Sequence, residues 1–225
     1  MVKISEYKIQ VIEDNCTGCY LCERICPTAA IVMEGPKSAA IAVVDNTKCV
    51  SCLRCIDICD DDALLSLDRQ EPVKFGIDPA SVDQAVLGEL LRKSNLDPDG
   101  MSCICSLTTN KEVAAAVIAG AKTMEEVALA SGAQSGCLMY CFAPIHRLVT
   151  THWGEMPAPT TKNKWYPTSM TLMDVPEDVA CRHPEFSIRL EQEHFVQEMT
   201  PKYAAYPAIA PSDIQPSPST PPSGE

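Results

Sequence analysis

Cysteine is the residue type whose number and spacing could do chemistry in this sequence. Twelve of the 13 cysteines in the 225 residues fall into three tight groups. The N-terminus lacks the apolar core of a signal peptide, so we expect a cytoplasmic protein, in which thiols are kept reduced. A lone cysteine is most often a small buried hydrophobe. Grouped thiolates need a cation to share their charge, so the three groups indicate metal binding.

The first two groups are copies of one run. "CTGCYLCERIC" and "CVSCLRCIDIC" both have the spacing C-x2-C-x2-C-x3-C, and each cysteine of the second lies 33 residues after its counterpart. In such runs three cysteines ligate one [4Fe-4S] cluster and the fourth ligates the other, whereas zinc prefers closed sets of four built from C-x2-C pairs. The expected ligands are Cys16, Cys19, Cys22 and Cys59 for one cluster, and Cys26, Cys49, Cys52 and Cys55 for the other.

On these runs, residues 1–70 resemble a bacterial-type two-cluster ferredoxin. The resemblance implies an α+β fold in which short strands and two helices enclose two [4Fe-4S] clusters that carry single electrons at low potential. Asp60 stands where the family usually has proline. An acid there also suits a helix N-terminus, and its charge is expected to lower the reduction potential. The segment between the two runs is longer than in compact members, which predicts an extended hairpin around Gly35-Pro36.

The third group has a different spacing, C-x-C, then 31 residues, then C-x3-C. Two cysteines one residue apart are poorly placed to bridge each other, so one metal site is expected to use both sulfurs. The intervening residues predict helices. "TNKE" and "TMEE" match the capping box, with N-caps at Thr109 and Thr123, and Gly120 and Gly132 suit helix ends. A last helix is predicted around "APIHRLVT".

Residues 101–152 resemble the [2Fe-2S] domain of bacterioferritin-associated ferredoxin. The resemblance rests on the cysteines and on the helical "AAAVIAGAKTMEEV" stretch, and it implies a small all-α domain. That family ends in C-x2-C, whereas this chain has C-x3-C. The implied ligands of the [2Fe-2S] cluster are Cys103, Cys105, Cys137 and Cys141. A zinc site with the same four ligands is the alternative.

The remaining residues are expected to connect and extend these domains. Residues 71–100 predict a linker with one helix, whose apolar stripe of Val82, Val86 and Leu90 would pack between the domains. Twelve of the 18 prolines lie beyond residue 150, so residues 153–225 predict an extended Pro-rich arm with one possible helix in "EFSIRLEQEHFVQEM". Its expected partner-binding anchors are the aromatic residues Trp153, Trp165, Tyr166, Phe186 and Phe195. The thirteenth cysteine, Cys181, is interpreted as a bystander.

Composition and the absence of certain motifs argue against several classes of function. The formal net charge of −12 argues against nucleic acid as a partner, and no apolar run approaches the roughly 20 residues of a membrane span. The sequence has no phosphate-binding loop or dinucleotide fingerprint, and no nucleophile–base–acid set, so we expect no catalysis by this chain itself.

The sequence therefore predicts an electron-transfer subunit with two [4Fe-4S] clusters and one [2Fe-2S] cluster. It would relay single electrons to or from a catalytic oxidoreductase subunit of a hetero-oligomeric complex, for example one that carries flavin, molybdenum or tungsten, or a hydrogenase centre. Two alternatives remain open. One is an iron-sulfur scaffold or iron-handling adaptor, and the other is a redox sensor with a labile third cluster.

Overall fold

The computed structural model describes residues 3–154 and 170–208. Within these residues the strands are β1 (Lys3–Val11), β2 (Ile31–Glu34), β3 (Ile41–Val44), β4 (Leu64–Phe75), β5 (Met101–Cys103) and β6 (Thr108–Thr109). The α-helices are α1 (Leu21–Ile25), α2 (Arg54–Asp57), α3 (Gln84–Lys93), α4 (Asn110–Ile118), α5 (Met124–Ser131), α6 (Phe142–Trp153), α7 (Glu177–Arg182) and α8 (Ile188–Tyr203). None of the described helices is long and apolar enough to cross a membrane.

The N-terminal part combines two antiparallel ribbons with two short helices. β1 pairs with β4, from Lys3 opposite Phe75 to Val11 opposite Leu64. β2 pairs with β3, which confirms the predicted hairpin, and Gly35 in its turn has a φ of 102°. Apolar residues of both ribbons and cysteines of both runs form one buried core. This mixed arrangement is consistent with a small ferredoxin-like domain.

The β1–β4 ribbon is irregular near its middle. Ser5 lies opposite Val73 whereas Tyr7 lies opposite Asp68, so β4 bulges between these pairs. The bulge turns Arg69 back across the ribbon, where its Nε donates to the Tyr7 carbonyl at 2.9 Å. Beyond the bulge the ribbon continues to Phe75 at the end of β4.

A second core is formed by α3, α4, α5 and α6. Val113, Val117 and Leu148 are fully buried in it. Helix α3, expected in a linker, contributes Leu87, Leu90 and Leu91 to this core. Of the predicted apolar stripe, Leu90 is buried while Val82 and Val86 are partly exposed, because the helix turns its leucines towards α4 and α6.

The helices of the second core begin at the N-caps that the sequence predicts. Both predicted capping boxes are confirmed, since Thr109 and Thr123 each accept a hydrogen bond from the backbone of the glutamate three residues later. Gly132 ends α5 with a φ of 73°. The segment 101–152 is not all-helical as expected, because β5 and β6 form a short antiparallel ladder before α4. Asn110, at the start of α4, ties this ladder to the loop before β5 by donating to the Asp97 carbonyl at 2.8 Å.

The C-terminal residues 170–208 are not the extended arm that the sequence predicted. They contain α7 and α8, and the predicted helix within "EFSIRLEQEHFVQEM" is confirmed as part of α8. Helix α8 returns to the second core, against which Tyr203 packs, and the Tyr203 hydroxyl donates to the Leu96 carbonyl at 3.0 Å. Met199 of the same helix is also buried. Met199, Tyr203 and Tyr206 follow helical spacing, so this stretch has an apolar face after all.

The predicted aromatic anchors differ in their surroundings. Trp153 packs against the second core and its indole donates to the Ala121 carbonyl at 3.0 Å, so it is held within this chain. Phe186 is 67% exposed, and Phe195 is partly buried. Trp165 and Tyr166 lie outside the described residues, as do residues 209–225.

Candidate iron-sulfur cluster sites

The first site is a cavity between the two N-terminal helices and the strands. Cys16 follows a short turn, Cys22 lies in α1, and Cys59 comes just after α2. Together with Cys19 they line a space of about 340 Å³, including the part open to solvent. Apolar residues complete its wall; they include Met33, Ala42, Ala63 and Leu64. The structure thus brings together the four cysteines that the spacing assigned to one cluster.

The second site repeats this arrangement. Cys49, Cys52 and Cys55 line a separate cavity with Cys26, the last cysteine of the first run. Its volume is also about 340 Å³. The apolar wall residues include Ile9, Ala30, Ile31 and Val44. Each run therefore supplies three cysteines to one cavity and its fourth cysteine to the other.

The backbone around the two sites is duplicated in detail. Tyr20 and Leu53 precede α1 and α2 with φ values of 65° and 59°, and they lie 33 residues apart. Positive φ also recurs at the equivalent pairs Gly18 and Ser51, and Ala29 and Asp62. Such values are uncommon for non-glycine residues, so their repetition shows that both loops wrap their cavity in the same way.

The fourth cysteine of each run accepts the same hydrogen bond. The Ala30 amide donates to Cys26 Sγ at 3.2 Å, and the Ala63 amide donates to Cys59 Sγ at 3.4 Å. Amide donors stabilise a thiolate. Both sulfurs are therefore held in place by a backbone group that lies just before the following strand.

Burial and neighbouring thiols raise the pKa of cysteines in both sites. The pKa of Cys22 is raised to about 11, first by burial and then by the neighbouring Cys19, Cys16 and Cys59. Burial likewise raises the pKa of Cys52 to about 11, with contributions from Cys26 and Cys49.

Cys55 follows the same rule. Burial, then Cys52, Cys26 and Cys49, and last Cys22 of the other site, raise its pKa to about 12. Four thiolates in such a space require a positively charged group between them. The donor set and the apolar walls therefore fit a [4Fe-4S] cluster in each cavity.

The third group of cysteines lies at the edge of the second core. Cys103 at the end of β5 and Cys141 before α6 are buried, whereas Cys105 and Cys137 are exposed. A hydrogen bond from the Cys141 thiol is the main cause that lowers the pKa of Cys103 to about 4, and the same bond raises the pKa of Cys141. The Cys137 amide donates to Cys105 Sγ at 3.4 Å. The four thiols thus form a buried pair and an exposed pair.

Backbone groups favour a thiolate at the exposed pair. Amides of Tyr140 and Met139, followed by Cys105, lower the pKa of Cys137. The three residues between Cys137 and Cys141 form a tight turn in which Leu138 has a φ of 59°. The extra residue of the C-x3-C spacing is therefore absorbed by the turn, and the four-thiol set fits a [2Fe-2S] cluster chemically.

Glycine is required beside the exposed pair. A Cβ added at Gly136 would lie 2.4 Å from the Cβ of Cys105, so a larger residue would push the two loops apart. In residues 3–154 and 170–208, no three Cys, His, Asp or Glu side chains are placed to hold a single metal ion. Cys181 is exposed on α7, beside Glu177 and Arg189.

An apolar surface surrounds the exposed pair, and the sequence analysis missed it. It consists of side chains that flank the third group and are more than half exposed: Ile104 at 55%, Leu107 at 67%, Met139 at 81% and Tyr140 at 57%. No charged residue occurs within "MSCICSLTT" or "GAQSGCLMYCFAPI". The lack of charged residues in both stretches, in a chain with a net charge of −12, is the sequence feature that could have revealed this surface. We call these four side chains the apolar rim.

Comparison with known proteins supports the first two sites. The family model of the 4Fe-4S dicluster domain matches residues 15–63. An uncharacterized protein of Methanocaldococcus jannaschii is 32% identical over 62 residues, covering 28% of this chain and 22% of the relative. One subunit of the H2:CoB-CoM heterodisulfide, ferredoxin reductase of Methanothermobacter thermautotrophicus is 28% identical over 95 residues, covering 36% of this chain and 14% of that protein.

The family model covers 15–63, the part of the chain that holds both cysteine runs. The chain spans less than a quarter of the length of these curated relatives. No solved structure shows significant similarity to it. Together, the family match and the reductase relative support an iron-sulfur protein that binds [4Fe-4S] clusters and transfers electrons.

Proposed function

We propose that the chain is the electron-transfer subunit of a cytoplasmic, hetero-oligomeric oxidoreductase. It would carry two [4Fe-4S] clusters and one [2Fe-2S] cluster, and pass single electrons to or from a catalytic partner. The observation that carries the proposal is the crossed arrangement of two four-cysteine sets around cavities of equal size. Such crossing is characteristic of two-cluster ferredoxins.

The chain would bind the two [4Fe-4S] clusters through the cysteines of the two cavities. Iron-sulfur clusters accept and release single electrons over a wide range of reduction potentials. The protein sets the potential through its own groups: hydrogen bonds to the sulfurs, nearby charge and solvent exposure. The amides of Ala30 and Ala63 supply one such hydrogen bond to each site.

We assign the third site to a [2Fe-2S] cluster held by Cys103, Cys105, Cys137 and Cys141. Support comes from the pairing of the thiols, since each iron of such a cluster takes two thiolates. The hydrogen bond between Cys103 and Cys141 forms one pair, and the contact between Cys105 and Cys137 forms the other. Zinc bound by the same four sulfurs is the alternative that metal analysis must exclude.

The apolar rim supports a protein partner at the third site. Protein interfaces have an apolar, tightly packed centre in which large side chains contribute most of the binding energy. Met139 and Tyr140 lie in the turn between Cys137 and Cys141, so a partner bound there would lie directly over the exposed thiols. The relative that is named as part of a reductase is consistent with a hetero-oligomeric complex.

Metal analysis tests the proposed function directly. Anaerobically purified protein should contain about ten irons per chain with matching sulfide, four for each of the first two sites and two for the third. Eight irons with one zinc would remove the [2Fe-2S] assignment and leave the ferredoxin-like half intact. Fewer than eight irons, with no EPR signal from reduced [4Fe-4S] clusters, would contradict the proposal as a whole.

A second candidate function is favoured by the exposure of Cys105 and Cys137. Exposed ligands could release a cluster to another protein, as an iron-sulfur scaffold does. Incubation of the loaded chain with an apo-ferredoxin distinguishes the two functions. A relay retains its third cluster through repeated reduction and oxidation, whereas a scaffold transfers it to the acceptor.

A further inference from the structure

The β1–β4 ribbon contacts all three cysteine sites, one after another along its length. At one end, Val11 pairs with Leu64, and Leu64 lines the first cavity. Ile9, two residues along β1, lines the second cavity. The other end, at Lys3 and Phe75, lies against the second core. β1 has nine residues, so these ends are about 27 Å apart at about 3.4 Å per residue.

The middle of the ribbon is fixed to the loop of the second site. Ser5 is fully buried, and its hydroxyl donates to the Cys49 carbonyl at 2.9 Å. Arg69, turned inward by the bulge, donates to the same carbonyl at 3.1 Å and to Ser5 Oγ at 3.2 Å. The Cys49 loop is therefore held to β1 two residues from Lys3.

The end of the ribbon is fixed to the third site by Lys3. Its ammonium donates to Thr108 Oγ1 and, at 2.6 Å, to the Ser131 carbonyl. That carbonyl lies at the C-terminus of α5, where a positive charge is favourable. A Cβ at Gly132 would approach Lys3 Cδ to 2.7 Å and the ring of Phe75 to 2.8 Å, so the ribbon and α5 are in close contact.

Hydrogen bonds continue from Lys3 to a cysteine of the third site. Thr108 Oγ1 and Ser106 Oγ are 2.7 Å apart, and the Ser106 hydroxyl and amide are both bonded to Cys103. Lys3 is also near enough to Cys103 for their charges to interact. An unbroken series of bonds and hydrogen bonds thus joins the Cys49 loop to Cys103 through Ser5 and Lys3.

From this geometry we infer that the second site is the central one of the three, and that Lys3 is the positioning residue that holds the third site beside it. The inference rests on the proposed function. One electron leaves a reduced site and enters its oxidised neighbour, with no bond or proton exchanged. Since electron transfer slows steeply with distance, the first and third sites at opposite ends of the ribbon exchange electrons through the second.

EPR of the reduced full-length protein tests the order of the sites. A reduced [4Fe-4S] neighbour speeds spin relaxation of the [2Fe-2S] signal. Cys26→Ala, which damages the second site, should abolish this enhancement, whereas Cys59→Ala, which damages the first, should leave it. The opposite result, or an equal effect of both variants, would overturn the order. An iron content of about ten per chain would still support the proposed function in that case.

The role of Lys3 is tested by substitution. Lys3→Met keeps the aliphatic stem and removes the ammonium, so the relaxation enhancement should weaken while the iron content stays unchanged. Lys3→Arg restores a charged donor and should rescue it. Lys8→Met, at an exposed lysine of the same strand, is the control. A Lys3→Met protein with undiminished enhancement would refute the positioning role.

Hydrogen exchange gives a readout that does not depend on the metal in the third site. Losing a hydrogen bond from a charged donor should speed amide exchange in residues 101–109 and 131–137 about tenfold or more. Lys8→Met should leave these rates unchanged. If Lys3→Met also leaves them unchanged, Lys3 does not fix the third site. If the third site holds zinc and the rates rise, the [2Fe-2S] assignment fails while the positioning role stands.

Discussion

Asp61 and Thr28 occupy equivalent positions of the two cysteine repeats, 33 residues apart, yet one carries a negative charge and the other does not. Asp61 lines the first cavity and accepts a hydrogen bond from the Thr17 hydroxyl at 2.7 Å. Thr28 lines the second cavity and donates to the Lys48 carbonyl at 2.7 Å. Two sites with the same backbone and donor set thus differ in the charge at their wall.

This difference predicts that the first site has the lower reduction potential. A negative charge disfavours the addition of an electron nearby, so Asp61→Asn should raise the potential of the first cluster by an amount on the order of 50 mV, about 1 kcal/mol for one electron. Asp60→Asn, at the neighbouring position outside the cavity lining, should shift it less. EPR-monitored redox titration measures both. A larger shift for Asp60→Asn would assign the effect to the residue that the sequence analysis had singled out.

The crossed cysteine sets predict which cluster each substitution damages. Cys59 lies in the second run but lines the first cavity. Cys59→Ala should therefore impair the cluster of Cys16, Cys19 and Cys22 and spare the other. Cys26→Ala should impair the second cluster and spare the first. EPR of the two reduced variants distinguishes the sites. Loss of only the second cluster in Cys59→Ala would refute the pairing.

Exposure and pKa together predict the order in which the thiols react in metal-free protein. The thiolate is the reactive form, so the exposed Cys137, whose pKa is lowered, should be alkylated early at neutral pH. Cys22 and Cys55 are buried with pKa values raised to about 11 and 12, and Cys141 is buried with its pKa also raised, so these three should react last. Mass spectrometry after timed iodoacetamide treatment gives the order.

Cluster loading supplies the control for this experiment. In the loaded protein the twelve proposed ligands should be protected, while the exposed Cys181 remains open to alkylation. Protection of Cys181 together with the others would show that it is covered or bound. Labelling of Cys105 and Cys137 in otherwise loaded protein would show that the third cluster is absent.

Local sequence patterns were enough to predict part of this structure. The cysteine sets depend on loop spacing, and the caps at Thr109 and Thr123 depend on contacts three residues apart. The contact between Lys3 and Thr108 spans 105 residues and leaves no local signal. Such a contact arises only when the two cores pack together.

The C-terminal segment illustrates a different limit. Its prolines predicted an extended arm, and the helical spacing of Met199, Tyr203 and Tyr206 was missed. Pro201 lies inside α8, so proline content alone did not exclude a helix. The segment packs against α3, where Tyr206 lies beside Gly88, and a pattern within the segment itself cannot reveal that contact.

Close contact between α3 and the C-terminal segment predicts an unusual response to a glycine substitution. A Cβ at Gly88 would lie 2.3 Å from the Cβ of Tyr206. Gly88→Ala should therefore destabilise the second core by about 1–3 kcal/mol, as overpacking does, although alanine is the better helix former. In a Tyr206→Ala background the same change should be neutral or stabilising by up to about 1 kcal/mol. Denaturant unfolding of the wild type and the three variants measures the cycle, and equal effects in both backgrounds would show that Tyr206 does not pack there.

The apolar rim predicts where a redox partner binds. Met139 is 81% exposed and Leu107 67%, so a charge introduced at either position would have little effect on folding but would be buried without a partner in a complex. Met139→Asp and Leu107→Asp should each weaken co-purification of the partner or its electron exchange with the chain by about tenfold or more. Phe186→Asp is a matched control, because Phe186 is 67% exposed, as Leu107 is, and lies in the C-terminal segment rather than beside the third cysteine group. Because the rim carries no charge, wild-type binding should depend little on salt. Unchanged binding in the rim variants, together with a loss in Phe186→Asp, would move the partner's contact to the C-terminal segment, where the sequence first predicted it.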